Sequence, residues 1–492
     1  MASDSHSAGP ESLVEIHASP SAAVRVLVVA LLLVLGSYLY RERSNRERHR
    51  CKPVVPYVPY KWPLALDLLK RLYDIFFSDH IFEGLTPYFN IAGTCCIHLS
   101  GQTGYFTTDP QNIKAIFSTR FEDYGLELIR RQFVRVQKQN LQIFTPHVNR
   151  LVSGIAEAAV EGRVDLKPLM FEYTLNTTTM LLFGEPHGSM DKGERNAVRD
   201  NFDHAAFGCG IRVRLADAAF LYNPPKFSKA CESVREWATF FAAKAIKCMD
   251  ELGEETAAER YPFIIDLWKD MKDFELVRDQ LLHVLVAGRD STSVLMCWTL
   301  FHLVRNPEVL QRLQQEIASV PAEGHLTREE IHRLPFLRCC LNETLRLYPT
   351  LPLNLRFANK PTVLPRGGGP DGNSPVLLKK GAGIAWSVYH LHRLESIYGP
   401  DARVYRPQRW EDGELMKRAR PGVGYIDFNG GPRLCLGKDF ALTEASYAII
   451  RILQAFPNIR LAPEVPNEPV GTERHTYTIG IAPMDGVHCP RP

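Results

Sequence analysis

The chain has 492 residues, 45% of them hydrophobic and 23% charged, with a formal net charge of +3. This is ordinary globular composition with material for a large core. Neither the charge balance nor any basic stripe with interleaved aromatics points to a nucleic-acid partner. Eleven cysteines, an odd number with no CxxC pair, argue against a disulfide framework or a zinc site and for reduced thiols in a cytosol-facing body.

Residues 1–21 carry Asp4, Glu11 and Glu15, and residues 22–40 are nearly all apolar. At about 1.5 Å per helical residue this run nearly spans the ~30 Å hydrocarbon core of a bilayer. Arg25 sits near one end and Tyr38 and Tyr40 at the other; Arg41, Arg43, Arg46, Arg48, Arg50 and Lys52 follow. The positive flank predicts a single transmembrane anchor over 22–40, with residues 1–21 lumenal and the body cytosolic. A cleaved signal peptide would need a small-residue cleavage site and a basic start, and the chain has neither. Residues 41–63 read as a basic, proline-rich strut, in which Pro53, Pro56, Pro59 and Pro63 favour a stiff extended path. No interior linker or repeat occurs, so residues 64–492 are expected to form one large domain.

Residues 276–305 predict a long helix, apolar all round in its middle as for a helix buried through a core. Ala287-Gly288-Arg289-Asp290-Ser291-Thr292 interrupts that middle. Small residues let a ligand lie against the helix, and consecutive hydroxyls loosen its hydrogen bonding. A buried carboxylate beside alcohols can relay protons, although Ser and Thr in helices more often cap their own backbone. Farther on, Glu343 and Arg346 share one helix face before Pro349 ends the helix; alone, such a pair carries little weight. Pro352-Leu353-Asn354-Leu355-Arg356 opens an alternating segment, and Tyr405–Trp410 sets Arg409 among aromatics.

Phe428-Asn429-Gly430-Gly431-Pro432-Arg433-Leu434-Cys435-Leu436-Gly437 then places Cys435 in a glycine-rich turn, before an apolar stretch from Phe440 to Phe456. Gly431 and Gly437 let backbone approach a flat ligand closely. Arg433 lies near enough to favour the thiolate or to pair with an anionic ligand group. A helix starting just after Cys435 would aim its free N–H groups and positive dipole end at the sulfur. A lone loop cysteine is usually structural, but ten ordered residues outweigh that. The run resembles the haem-binding signature of the cytochrome P450 superfamily, Phe-x-x-Gly-x-Arg-x-Cys-x-Gly, with every fixed position filled.

The resemblance implies a mainly α fold with small β-sheets, one large haem domain, and haem b held by Cys435 as axial thiolate ligand of the iron. It implies a monooxygenase of the endoplasmic reticulum membrane that takes electrons from NADPH through NADPH–cytochrome P450 reductase, with O2 and a lipophilic molecule as substrates. Phe428, Gly431 and Arg433 would then bind the haem. Arg356 would meet a propionate, and Ala287 and Gly288 would face the haem and the substrate pocket. Asp290 falls on the family's acid and Ser291 on its alcohol, where the family usually has threonine, so Thr292 stands beside it as a sharer of that role. Glu343, Arg346 and Arg409 match a buried structural brace in which two arginines fork onto one glutamate.

Phe121-Glu122-Asp123-Tyr124-Gly125, Ala287–Asp290 and Phe428–Arg433 look most like the fungal membrane-bound n-alkane and fatty-acid hydroxylases. The resemblance covers roughly residues 50 to 485 and implies oxidation of a long aliphatic chain or of the tail of a fungal polyketide or terpenoid. One departure stands out. In that family a Trp-x-x-x-Arg helix that reaches a propionate follows Phe-Glu-Asp-Tyr-Gly. Here Gly125-Leu126 runs straight into Glu127–Arg135, which resembles the tail of that helix, and no tryptophan occurs between Trp62 and Trp237. A block is missing, as a mis-assigned intron or a skipped exon would leave it. Arg130 or Arg131 is the available substitute. A chain so shortened is expected to hold haem poorly, and a haem-poor, non-catalytic remnant is the alternative reading.

Overall fold

A computed structural model describes residues 43–44, 46–47, 49–53, 56–99, 102–125, 141–159, 162–187, 191–467, 469–478 and 480–490. The expected anchor at 22–40, the junction at Leu126, and Arg130 and Arg131 lie outside these residues. Among the described residues no helix is long and apolar enough to cross a membrane.

Among its described residues the proline-rich segment carries no helix between Cys51 and Trp62, as its prolines favour, and it does not stand free of the domain. Lys52 N–H donates to Pro375 O at 2.8 Å, Gly369 N–H to Pro53 O at 3.0 Å, and Val58 N–H to Cys96 O at 2.9 Å. It leads into helix α1 (Leu66–Phe76), which buries Leu68 and Leu72 on one side. The Asp67 carboxylate accepts the N–H groups of Lys61 and Trp62 and so fixes the turn before the helix. Helix α2 (Ile81–Phe89) follows. A five-stranded sheet runs β1-β2-β8-β5-β3, with β1 (Thr94–Leu99), β2 (Gln102–Thr107), β3 (Tyr124–Gly125), β5 (Leu353–Ala358) and β8 (Gly383–Ser387). Only β2 and β8 pair in parallel, Tyr105 opposite Ile384. Among the described residues three two-stranded sheets complete the β structure: β4 (Arg163–Asp165) with β11 (His488–Pro490), β6 (Thr362–Gly368) with β7 (Ser374–Leu378), and β9 (His475–Tyr477) with β10 (Ile481–Pro483).

The helical body is larger. Helix α3 (Phe144–Ala158) precedes α4 (Leu166–Phe183), which Asp165 caps by accepting the Lys167 N–H at 3.0 Å. Gly184 ends α4 at φ +68°, and a Cβ there would meet Arg260 O at 2.1 Å, so only glycine fits. Helices α5 (Lys192–Leu215) and α6 (Pro225–Leu252) form a hairpin. The expected long helix is α7 (Phe274–Arg305), capped by Asp273 and buried all round from Val294 to Val304. It lies along α4 and against α6, α8 (Pro335–Leu347) and α9 (Lys438–Ala455). Trp298 of α7 stacks on Tyr348 with ring centroids 3.8 Å apart and donates to Ile481 O at 2.8 Å. Burying so large a ring while satisfying its N–H ties α7 firmly to its neighbours. The molecule is thus mainly helical with small sheets, as the resemblance implied.

Candidate functional site

The Cys435 turn is held by backbone. Cys435 N–H donates to Phe428 O at 2.9 Å, and Leu434 N–H to Gly431 O at 3.1 Å. Asn429 and Gly431 adopt φ +65° and +57°, and a Cβ on Gly431 would stand 1.9 Å from Phe117 O. The glycine therefore serves the turn's docking on residues 115–119. Cys435 is exposed, yet enough atoms crowd its sulfur that burial pushes the thiol above its ordinary range. The Gly437 N–H, hydrogen-bonded to the sulfur, and the Lys438 charge pull it back down. That N–H sits at the start of α9, where the sequence placed the donors. Arg433 turns elsewhere, its guanidinium 5.0 Å from the centre of the Phe121 ring.

On either side of the sulfur, Leu434 and Leu436 are 49% and 48% exposed. Apolar surface of this kind is stabilised by being covered. A flat apolar ring lying on the thiol would cover it, and a soft sulfur with an N–H aimed at it suits iron. The residues present fit a haem on this side.

In α7, Ala287 and Ser291 lie on an open stripe one turn apart, and Ser291 Oγ donates back to Ala287 O at 2.6 Å. Gly288 faces α4 instead: an added Cβ would come within 2.8 Å of Thr178 Oγ1. Asp290 is buried, and Arg289 Nη1 donates to its Oδ1 at 3.1 Å while Arg289 Nη2 reaches Asp203 Oδ1 of α5 at 2.5 Å. Burial holds the Asp290 carboxyl above its usual range; Arg289 draws it down and Asp203 pushes it up. Thr292 is buried, and its hydroxyl lies against the carboxyl of Glu444 in α9.

Glu444 is the residue that sequence reasoning missed. It is fully buried and accepts a hydrogen bond from Thr177 of α4. Burial pushes its carboxyl up to about 8, with Thr177 and Thr292 opposing. The hydroxyl of Tyr173, also in α4, is buried near it without a hydrogen-bond partner among the described residues. The only signals in the sequence are an acid inside an apolar stretch and a Thr177-Thr178-Thr179 run inside an apolar helix.

The brace is assembled as expected from its pattern. Arg346 donates from Nε to Glu343 Oε2 and from Nη2 to Oε1, both at 2.8 Å. Arg409 Nε reaches Oε1 at 2.9 Å, and the Trp410 indole donates to Oε2 and the Arg406 backbone N–H to Oε1, both at 2.9 Å. All three side chains are buried. Burial works against the Glu343 charge, but Arg346 and then Arg409 outweigh it and hold the carboxyl below its usual range. Arg356 of β5 is buried, donates to Leu355 O at 2.7 Å and sits 5.5 Å from the Trp386 ring centre.

Comparison with known proteins agrees with this geometry. The Cytochrome P450 family model matches residues 128–474. The chain is 33% identical to Cytochrome P450 52A13 of Debaryomyces hansenii, over 94% of this chain and 96% of the relative. It is 35% identical to a Cytochrome P450 of Arthroderma benhamiae (strain ATCC MYA-4681 / CBS 112371), over 94% and 97%. With Cytochrome P450 52A1 of Candida tropicalis it shares 35%, over 90% of each chain. The first two alignments run to 515 and 501 positions, longer than the whole 492-residue chain though each covers 94% of it. The relatives therefore carry residues at positions where this chain has none. A cysteine turn, a helix with a buried carboxyl beside alcohols and a glutamate–arginine brace in the family's order, with full-length relatives, lead to one statement: the chain belongs to the cytochrome P450 family of haem-thiolate monooxygenases.

Proposed function

We propose that this P450 inserts one oxygen atom into a C–H bond of a long-chain aliphatic molecule or of the aliphatic tail of a fungal secondary metabolite. The balance is RH, O2, NADPH and a proton to ROH, water and NADP+, with electrons passing through NADPH–cytochrome P450 reductase. A thiolate-bound haem supplies dioxygen reduction and C–H oxidation. The observation that carries the reading is the Cys435 turn, whose backbone N–H is held by Phe428 O and whose sulfur faces the Gly437 N–H between two exposed leucines.

Around it, Phe428 and Gly431 hold the ring's edge, Arg433 joins them on leaving the Phe121 ring, and Arg356 offers a buried guanidinium to a propionate. Asp290 and Ser291 manage protons; the Ser291 hydroxyl must first leave Ala287 O. Ala287 lies on the open stripe beside it and leaves room for substrate. Glu343, Arg346 and Arg409 hold the loop that carries Cys435 and touch no substrate.

The body sits on the cytosolic face of the endoplasmic reticulum, with residues 1–21 lumenal, 22–40 spanning, 41–63 linking and 64–492 catalytic. Support comes from exposed Trp62, Leu64, Leu66, Leu69 and Tyr73, which follow the span. A second reading, a product that lacks part of its haem clamp, draws support from alignments longer than the chain, which show that the relatives carry residues this chain has not. A carbon monoxide difference spectrum of the recombinant chain separates the two. A Soret band of the thiolate-ligated ferrous type, lost in Cys435→Ala, supports the enzyme; no haem uptake supports the remnant.

A further inference from the structure

Arg214 sits in the last turn of α5, where a cation suits the helix dipole, and its Nε donates back to Gly210 O at 3.1 Å. The guanidinium also reaches beyond its own helix. Nη1 donates to Phe76 O at the end of α1 at 3.1 Å, and Nη2 to Tyr477 O of β9 at 2.8 Å. It lies over two rings, 5.2 Å from the centre of Phe77 and 5.7 Å from that of Tyr477. Three segments far apart in the chain thus meet on one cation.

No acid joins them. Among the described residues the partners of Arg214 are carbonyls and rings, whereas Arg289, Arg346 and Arg409 each sit on a carboxylate. Burial draws the Arg214 guanidinium below its ordinary range, and no carboxylate offsets this. Three of its five N–H groups are used and two are left for a further acceptor. The surface beside it is apolar: Phe77 is 38% exposed, and Tyr73, whose ring lies 4.5 Å from it, is 54% exposed.

Arg214 follows Asp203 by three turns of α5, about 16 Å along one face. Asp203 ends that face at α7, where it pairs with Arg289 beside Asp290. Gly210 lies close on Thr478, so that an added Cβ would stand 3.1 Å from its α-carbon, and Phe207 remains 50% exposed between the two ends. The face therefore has an apolar middle and an uncompensated cation at the end remote from α7.

We infer that Arg214 is the binding site for the carboxylate of a long-chain aliphatic acid, whose chain runs along this face of α5 toward α7. The inference rests on the oxidation proposed above and adds the head group that the substrate carries. A carboxylate on the two spare N–H groups makes charge-assisted hydrogen bonds that a hydrocarbon or an alcohol of equal length does not match. It also decides which end of the chain enters first, so oxidation falls remote from the acid.

The test compares hexadecanoate, its methyl ester and hexadecan-1-ol on the full chain supplied with haem. Binding is read from the shift of the Soret band and, independently of haem, from equilibrium dialysis of the radiolabelled ligands. Arg214→Ala should weaken hexadecanoate about ten- to a hundredfold relative to the alcohol, and Arg214→Lys should recover part of that loss. An equal loss for acid and alcohol would make Arg214 a fastening between α5, α1 and β9 and would overturn the inference. So would an unmoved ratio with weaker binding to phosphatidylserine vesicles, which would assign the cation to bilayer anions. In wild type the acid should bind more tightly than its ester, and equal affinities would overturn the inference even if the alanine variant does not fold. Preference for the acid in dialysis without any Soret band would uphold the site and remove the haem reading instead.

Discussion

Thr177 of α4 and Glu444 of α9 meet in the interior, the hydroxyl donating to a carboxyl that is fully buried. The groups against that carboxyl are hydroxyls, Thr177 and Thr292, and so α4, α7 and α9 converge on one acid. With burial pushing it up to about 8, the acid is neutral at ordinary pH and needs no cation beside it, while its Oε2 has no hydrogen-bond partner among the described residues.

The first prediction concerns pH. The folded carboxyl titrates near 8, above its ordinary 4.5, so its contribution is complete below about 4.5 and is lost as pH rises through about 8. Stability should fall across that window with a slope of at most about 1.4 kcal/mol per pH unit. Glu444→Gln keeps the shape without the titration and should flatten the slope. Urea denaturation over a pH series checks this, and equal slopes in both proteins would remove the assignment.

The brace gives a second. Arg409→Ala strands part of a buried charge and should cost roughly 3–5 kcal/mol in chemical denaturation. Arg406 reaches Glu343 through its backbone N–H, while its side chain pairs with Asp401 near the surface. Arg406→Ala should therefore stay within about 0.5 kcal/mol of wild type. A similar loss in both would mean that the side-chain fork is not what holds the loop.

A third separates the two neighbouring alcohols. Ser291→Ala should raise the peroxide released per NADPH consumed in reductase-supported turnover. Thr292→Ala, which empties the Glu444 contact, should mainly lower stability, by about 1–3 kcal/mol. A rise in the leak from Thr292→Ala alone would transfer the proton role to Thr292.

The fourth bears on the junction between Leu126 and Glu127. A charge-assisted hydrogen bond to a propionate contributes roughly 1.5–3 kcal/mol, or about one to two decades of affinity. The chain as written should be isolated mostly free of haem. Inserting a relative's segment between Leu126 and Glu127 should restore haem occupancy, read from the haem absorbance per protein. Full occupancy in the unmodified chain would show that no added segment is needed there.

The cysteine turn, the long helix and the brace were legible because each is a short ordered motif whose partners lie within a few residues or in a fixed order. The long helix begins at Phe274 rather than residue 276 because Asp273 caps it. What the sequence hid are contacts between distant segments. Glu444 sits in a stretch read as apolar, and its partner Thr177 lies far away in the chain. Gly288, read as facing the haem by resemblance, has its α-carbon against Thr178, since helix packing and ligand approach ask for the same small residue. Arg433, read as a partner of the thiolate or an anionic group, lies over the Phe121 ring, because a guanidinium stacks as readily as it pairs.

The backbone bonds of Lys52, Pro53 and Val58 also determine where mechanical load enters the domain. Any pull on the chain before Cys51 is carried in shear by the backbone bonds to Pro375, Gly369 and Cys96, which belong to strands or strand neighbours rather than to α7 or α9. Tension at the N-terminus is thus grounded in the sheets, and the helices that frame Cys435 and Asp290 are spared it. The same bonds set a limit for shortening the chain: a cut before Cys51 leaves the seam closed, and a cut beyond Val58 opens two sheet edges at once.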